Sequence, residues 1–194
     1  MGILKKIITK FYGWRMRLSR LTGMGIGIST NNKEIKPRES FYSLQAKANN
    51  GQVVAFEKFK GKKVLIVNLA SQCGFTPQYA GLEKLFEQFK DKLVIVGFPS
   101  DNFGGQEYHD NDSIKSFCQK NYGVTFPLTT RVDVKGDNIT PVYKYLCNKT
   151  ENGVLDATIS WNFNKFIIDE NGNLLAHFDS KVTPDSEELL KYLK

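Results

Sequence analysis

Hydrophobic and polar positions along this chain change rhythm several times, and each rhythm predicts an element. Leu4, Ile7, Ile8, Phe11, Trp14, Leu18 and Leu21 recur at helical spacing, with Lys6, Lys10, Arg17 and Arg20 on the other side, the pattern of a basic amphipathic helix. The polar stretch Ser29-Thr-Asn-Asn-Lys33, followed by Pro37, reads as a linker. Short runs near Tyr42 to Ala46 and Gln52 to Phe56 predict a β-hairpin at the start of the folded domain. The run from Val64 to Ala70 is almost continuously apolar, as expected of a central strand covered on both faces. Thr76-Pro77 then offers a cap and a first-turn proline, and Tyr79, Leu82, Leu85 and Phe86 carry a helix to about Lys90.

The second half continues the alternation. Leu93 to Phe98 predicts a strand stopped by Pro99, and a loop through Gly104-Gly105 leads to a helix from about Asn111 to Asn121. A strand is expected over Leu128 to Val134 and a helix over Pro141 to Asn148. Phe163 to Asp169 and Leu174 to Phe178 flank an Asn-Gly pair, a strong hairpin signal. Thr183-Pro184-Asp185 is expected to open a final helix that runs to the C-terminus. Strands alternating with helices predict an α/β layered fold, a central mixed sheet flanked by helices. Two regions are expected: a basic amphipathic extension over residues 1–38 and one folded domain over 39–194.

Composition narrows the function classes. The chain has 194 residues, 41% hydrophobic and 24% charged, enough for one α/β domain with its own core. The net charge of +7 is explained by position: Lys5, Lys6, Lys10, Arg15, Arg17, Arg20 and Lys33 all precede the first acid, Glu34. The remaining basic and acidic residues balance, which argues against a nucleic-acid face on the main domain. Lysines and arginines interrupt every apolar run of the extension, so neither a secretory signal nor a membrane span is expected there. Three readings of the extension stand side by side: a helix on an anionic membrane surface, an organelle transit peptide, or a helix packed on its own domain. Position six is Lys6 where N-myristoylation needs Ser or Thr.

Cys73, Cys118 and Cys147 are widely spaced, which suits neither a zinc site nor a disulfide framework. An odd number of cysteines fits a compartment where thiols persist, the cytoplasm or a reducing organelle. With only His109 and His177 available, no metal or other cofactor is expected. Cys73 lies between a buried strand and a helix start, where unpaired amides and the helix dipole favour a thiolate. Taken singly, Trp161 reads as core, Asn162 as a turn residue, Gln106 as a solvated loop residue, and Cys118 and Cys147 as helix packing.

Three segments read together change that weighting. Asn68-Leu-Ala-Ser-Gln-Cys-Gly-Phe-Thr76, Phe98-Pro-Ser-Asp-Asn-Phe-Gly-Gly-Gln-Glu107 and Trp161-Asn-Phe-Asn-Lys-Phe166 resemble the signature segments of glutathione peroxidases, in the family's order, and the resemblance runs from about Phe41 to Leu193. It implies a thioredoxin-like fold, an antioxidant peroxidase, and a catalytic group of Cys73, Gln106, Trp161 and Asn162. The amide and indole N–H groups can donate to a thiolate or to a departing peroxide oxygen. The nucleophile is cysteine rather than selenocysteine and depends on its surroundings for ionisation. Ser100 stands where the family often has cysteine, and Asp101-Asn102 where it often has Asn-Gln. An inward Asp101 would oppose thiolate formation.

Cys118, in Ser116-Phe-Cys-Gln-Lys-Asn-Tyr-Gly123, resembles the segment in which cysteine-only, thioredoxin-using members carry their resolving cysteine. The resemblance therefore implies that hydrogen peroxide or an organic or lipid hydroperoxide oxidises Cys73 to a sulfenic acid. Cys118 then forms a redox-active disulfide with it, and a thioredoxin-like protein reduces that disulfide. A glutathione-dependent peroxidase with Cys118 idle and a peroxide-sensing redox relay remain alternatives. The short segment between Cys147 and Trp161 resembles that of the family's monomeric enzymes, which implies a monomer. Residues 1–38 add an expected membrane-surface contact, which would direct the enzyme to lipid hydroperoxides.

Overall fold

The computed structural model describes residues 27–31 and 39–194; the basic helix expected between Leu4 and Leu21 lies outside the described residues. In chain order the strands are β1 (Ile28–Thr30), β2 (Gln45–Lys47), β3 (Val53–Ala55), β4 (Lys63–Leu69), β5 (Leu93–Pro99), β6 (Lys165–Ile168) and β7 (Leu174–Phe178). The α-helices are α1 (Gln78–Phe89), α2 (Asn111–Tyr122), α3 (Pro141–Cys147), α4 (Lys149–Asn152) and α5 (Glu187–Leu190). Five strands form one mixed sheet in the order β1-β7-β6-β4-β5, and β2 pairs with β3 as the expected hairpin.

β4 and β5 are parallel, and β6 runs antiparallel to both β4 and β7. A βαβ unit followed by an antiparallel hairpin on the same sheet is the thioredoxin-like arrangement. Every residue of Val64–Leu69 and of β5 is buried, which is why both strands read as apolar runs without alternation. Their C-terminal ends point the same way, and the loops leaving them carry Cys73 and Gln106. Tyr79, Leu82 and Leu85 turn α1 toward this core, and Ile114 and Cys118 do the same for α2. Asp110 caps α2 by accepting from Ser113 N at 2.7 Å, and Gly123 closes it in the left-handed conformation, φ 64°, that glycine adopts without a Cβ penalty.

Four local expectations are corrected. Leu128 to Val134 forms no strand: Thr129 N donates to Gly97 O, Thr130 N to Lys47 O and Val132 N to Pro99 O. The segment thus bonds alternately to β5 and to the hairpin, making only isolated bridges. It passes so close to Gly97 that a Cβ there would collide with Leu69 and Leu128. The final helix starts at Glu187 behind Ser186, not at Thr183, and its α-helical part ends at Leu190. β6 starts at Lys165, because Phe163 has φ 65°, a left-handed conformation that ends strand pairing. Finally, the stretch read as a linker contains an edge strand: Ile28 pairs with Phe178, Ser29 with His177 and Thr30 with Ala176. An open β7 edge offers backbone partners to any extended segment, and Asn31 N extends the match by donating to Leu175 O at 2.8 Å.

Candidate active site

The loop from Ala70 to Pro77 is shaped by Thr76. Its hydroxyl donates to Ala70 O at 2.8 Å and accepts the Cys73 N–H at 3.0 Å, so it folds the nucleophile loop back on itself rather than capping α1. Phe75 N lies 3.4 Å from the Cys73 sulfur. α1 begins only at Gln78, whose N–H is taken by Phe75 O. The sulfur is thus served by a local loop amide and not by the open end of the helix, as the sequence had suggested.

The loop after β5 is tied to the first. Gln72 N donates to Gln106 O at 2.9 Å, and Ser71 N to Glu107 Oε1 at 3.2 Å. Ser100, fully buried, donates to Asn102 Oδ1 at 3.1 Å, and that oxygen also accepts Val134 N at 2.7 Å. Asp101 pairs with Arg131; its charge is neutralised there and does not oppose ionisation of Cys73.

Trp161 and Asn162 come from the turn before β6. Both side chains lie where they favour the Cys73 thiolate, and Asn162 Nδ2 donates to Gln106 Oε1 at 3.0 Å. Trp161 packs on Phe103 at 5.7 Å between ring centroids. The structure thus brings Cys73, Trp161 and Asn162 together, with Gln106 bonded to Asn162. Only 8% of Cys73 is exposed, and burial pushes its thiol above the ordinary range, while Phe75, Asn162 and Trp161 pull it back in part. Donors held in a dry site act most strongly on charge that develops during reaction, because they need no reorganisation. A peroxide entering here would meet N–H groups already in place.

The turn itself rests on buried polar groups that sequence reading gave no role. Asn68, inside β4, donates to Trp161 O at 3.0 Å and accepts Asn164 N at 2.8 Å, while Asn68 O accepts Phe163 N at 2.6 Å. Asn164 reaches Trp161 O at 2.7 Å and Ser180 Oγ at 3.1 Å. Lys165, fully buried, donates to Phe163 O at 2.7 Å; burial lowers its ammonium to about 7 against the pull of Asp179. The signal was available in Asn68 and Lys165, polar residues set among apolar neighbours.

His177 bonds Asn164 Oδ1 at 2.9 Å through Nε2 and stacks on Phe166 at 4.6 Å. The amide oxygen only accepts, so Nε2 carries the proton. Burial lowers the imidazole from 6.5 to about 4. The unfolded chain therefore binds the His177 proton first, and stability falls as pH drops from about 6.5 through about 4. The stability difference between wild type and His177→Gln, followed by denaturant titration, is expected to shift by about 2–3 kcal/mol against wild type between pH 7 and pH 4.

Cys73, Cys118 and Cys147 are all free of disulfides, and Cys118 is fully buried on α2. Burial raises its thiol to about 11, with the Tyr79 hydroxyl opposing and Glu107 reinforcing the rise. Cys147 is half-buried against the core, in keeping with packing, and burial raises it to about 12.

Comparison with known proteins gives the site its kin. The Glutathione peroxidase family model matches residues 41–147. Glutathione peroxidase-like peroxiredoxin GPX5 of Chlamydomonas reinhardtii is 50% identical over 147 residues, 75% of this chain and 90% of the relative. Glutathione peroxidase-like peroxiredoxin 2 of Saccharomyces cerevisiae is 47% identical over 148 residues, 76% and 91% of the two chains. Among solved structures, T. cruzi GPX1 superposes with a TM-score of 0.61 at 27% identity, covering 80% of this chain and 97% of the other. A DsbF homologue from Corynebacterium diphtheriae, TM-score 0.60 at 16% identity and covering 87% and 92%, shares the fold alone. Fold, loop architecture and sequence agree: this chain belongs to the glutathione peroxidase family.

Proposed function

We propose that this peroxidase reduces hydrogen peroxide and organic hydroperoxides at Cys73, uses Cys118 to resolve the oxidised sulfur, and takes its electrons from a thioredoxin-like dithiol protein. The observation that carries the reading is the convergence of Trp161 and Asn162 on a nearly enclosed Cys73 sulfur. In the first step the thiolate attacks one peroxide oxygen, the O–O bond breaks, and the departing oxygen takes up a proton as water or alcohol. The product is Cys73 sulfenic acid. The N–H groups of Trp161 and Asn162, with Gln106 behind Asn162, stabilise the charge that moves from sulfur to oxygen.

In the second step the Cys118 sulfur attacks the sulfenic sulfur, the S–O bond breaks and water leaves. A dithiol donor then reduces the disulfide by exchange. Cys118 is buried on α2 with Tyr79 as its polar neighbour; a disulfide with Cys73 needs Cα atoms within about 7 Å, and the proposed cycle supplies this by local opening of α2 around Cys118. The test is peroxide consumption by Cys118→Ser, supplied with thioredoxin and its reductase or, separately, with glutathione. Turnover is expected to collapse with thioredoxin while the first oxidation equivalent is still consumed. Wild-type turnover with thioredoxin would overturn the two-cysteine cycle, and turnover sustained by glutathione alone would favour an idle Cys118.

The domain over 39–194 is proposed to act as a monomer in the cytoplasm or a reducing organelle, with the basic segment within 1–38 making contact with an anionic membrane surface. The charge excess confined to that segment supports the contact. Co-sedimentation with anionic vesicles is expected for the full chain and not for a chain lacking the segment; equal binding by both would sink the idea.

A further inference from the structure

Lys165 opens β6, and the reaction as described gives it no task. It is fully buried, an environment an ammonium occupies at substantial cost. Its neighbours in the sheet are Val67 of β4 and Phe178 of β7, both fully buried, so an apolar side chain would suit this place in the sheet as well. Asp179 supports the ammonium from a distance, its own oxygens being taken by Lys181 N at 2.8 Å and Gly27 N at 3.1 Å. The hydrogen bond that Lys165 does make runs from Nζ to Phe163 O at 2.7 Å.

That carbonyl belongs to an unusual residue. Among the described residues Phe163 is the one non-glycine with a positive φ, 65°. For a bulky side chain this conformation is unfavourable, and it persists only where the surroundings over-determine it. Phe163 N donates to Asn68 O at 2.6 Å, the ring is fully buried and stands edge-on to Tyr79 at 5.5 Å, and the carbonyl takes the Lys165 ammonium. The residue before it is Asn162, fully buried, whose Nδ2 donates to Gln106 Oε1 at 3.0 Å and whose Oδ1 has no hydrogen-bond partner. Asn164 is fixed to Asn68 and β6 to the sheet, so the backbone turn at Phe163 sets where Asn162 stands.

Resting on the reading that Asn162 assists the attack of Cys73 on peroxide, we propose that Lys165 is a positioning residue of that step: by holding Phe163 O it keeps the left-handed turn closed and the Asn162 amide at Gln106 and the Cys73 loop. Lys165 itself never meets the peroxide. A buried carbonyl that loses its donor is costly to leave unpaired, and relief comes by rotating the peptide that Phe163 shares with Asn164. The φ at Phe163 then relaxes toward the ordinary region and carries Asn162 with it. A displacement of about 1 Å is enough to forfeit most of what an oriented donor contributes. Asn68 holds the same turn from the β4 side, through Trp161 O and Asn164 N; Lys165 holds the peptide between Asn162 and that anchor.

The experiment is a double-mutant cycle on the rate constant for oxidation of Cys73 by hydrogen peroxide, measured in single turnover on the reduced full-length protein. The variants are Lys165→Met, Asn162→Ala and the two together, each at a temperature where thermal unfolding shows it folded. Methionine approaches lysine in length and lacks the donor. Lys165→Met is expected to react about 10–10²-fold more slowly than wild type. In the Asn162→Ala background the same change is expected to cost less than about twofold, because the group that Lys165 positions is gone. Losses that multiply, or a folded Lys165→Met protein that reacts as wild type, overturn the proposal. Lys165→Gln, whose amide nitrogen stops short of Phe163 O, gives a second cycle read in the same way should methionine prevent folding. Failure of the underlying reading looks different: Asn162→Ala alone would then oxidise at the wild-type rate, whatever stands at position 165.

Discussion

Cys73→Ser is expected to lose peroxide consumption by on the order of 10³-fold or more, with either thioredoxin or glutathione as donor. The loss should be chemical and not structural. Serine is nearly isosteric and Thr76 still holds the residue 73 N–H, so this buried position loses little packing volume. A hydroxyl at this position neither ionises near neutral pH nor accepts an oxygen atom from a peroxide as sulfur does in forming a sulfenic acid. The measurement is initial-rate peroxide consumption alongside thermal unfolding. An inactive enzyme with an unchanged melting temperature is the expected pair of results, and retained activity would remove Cys73 from the reaction altogether.

The second large effect is expected at a residue that touches neither peroxide nor donor. Asn68→Ala removes the side-chain bonds to Trp161 O and Asn164 N from a fully buried position. Asn164 N is left with no partner in the dry interior, and the alanine leaves a void. Together these cost about 2–4 kcal/mol, or about 5–15 °C in melting temperature for a domain of this size. The same change frees the turn carrying Trp161 and Asn162. The rate constant for peroxide oxidation of Cys73 is therefore expected to fall by about 10–10²-fold at temperatures where the variant is fully folded. If peroxide reactivity in the folded variant equals wild type, then Asn68 supports the fold without positioning the donors. Thermal unfolding and single-turnover oxidation separate the two effects.

The elements legible in the sequence were those whose signal is local. β4, β5 and α1 followed from apolar run length and helical periodicity, and the β6–β7 hairpin from its Asn-Gly turn. What stayed hidden was decided by distant partners. Leu128 to Val134 carries an apolar alternation suited to a strand, but its backbone bonds are divided between Gly97, Pro99 and Lys47, and no window of sequence reports that division. Ser29 reads as polar linker until the β7 edge is there to receive it. Thr76 has the chemistry of a helix cap, and only the fold of the loop shows that its hydroxyl turns to Ala70 and Cys73. At the site, Cys73, Gln106, Trp161 and Asn162 were named through the resemblance, while their support was not. Asn68, Asn164, His177 and Glu107 are common polar residues whose roles come from burial, and burial is a property of the assembled molecule.

β1 carries a consequence for how the molecule tolerates shortening. The strand belongs by position to the N-terminal extension, yet its ladder closes the β7 side of the sheet, and Gly27 N donates to Asp179 Oδ2 at 3.1 Å. Asp179 is the carboxylate whose charge supports Lys165 and His177 beneath the catalytic turn. A cut at residue 39 therefore strips a protective selvedge from the sheet, leaving β7 open to pairing between molecules. A cut ahead of Gly27 removes the cationic segment and leaves that hem sewn. Self-association in a chain begun at residue 39 would accordingly speak of a bared strand, and says nothing about the natural assembly of the enzyme.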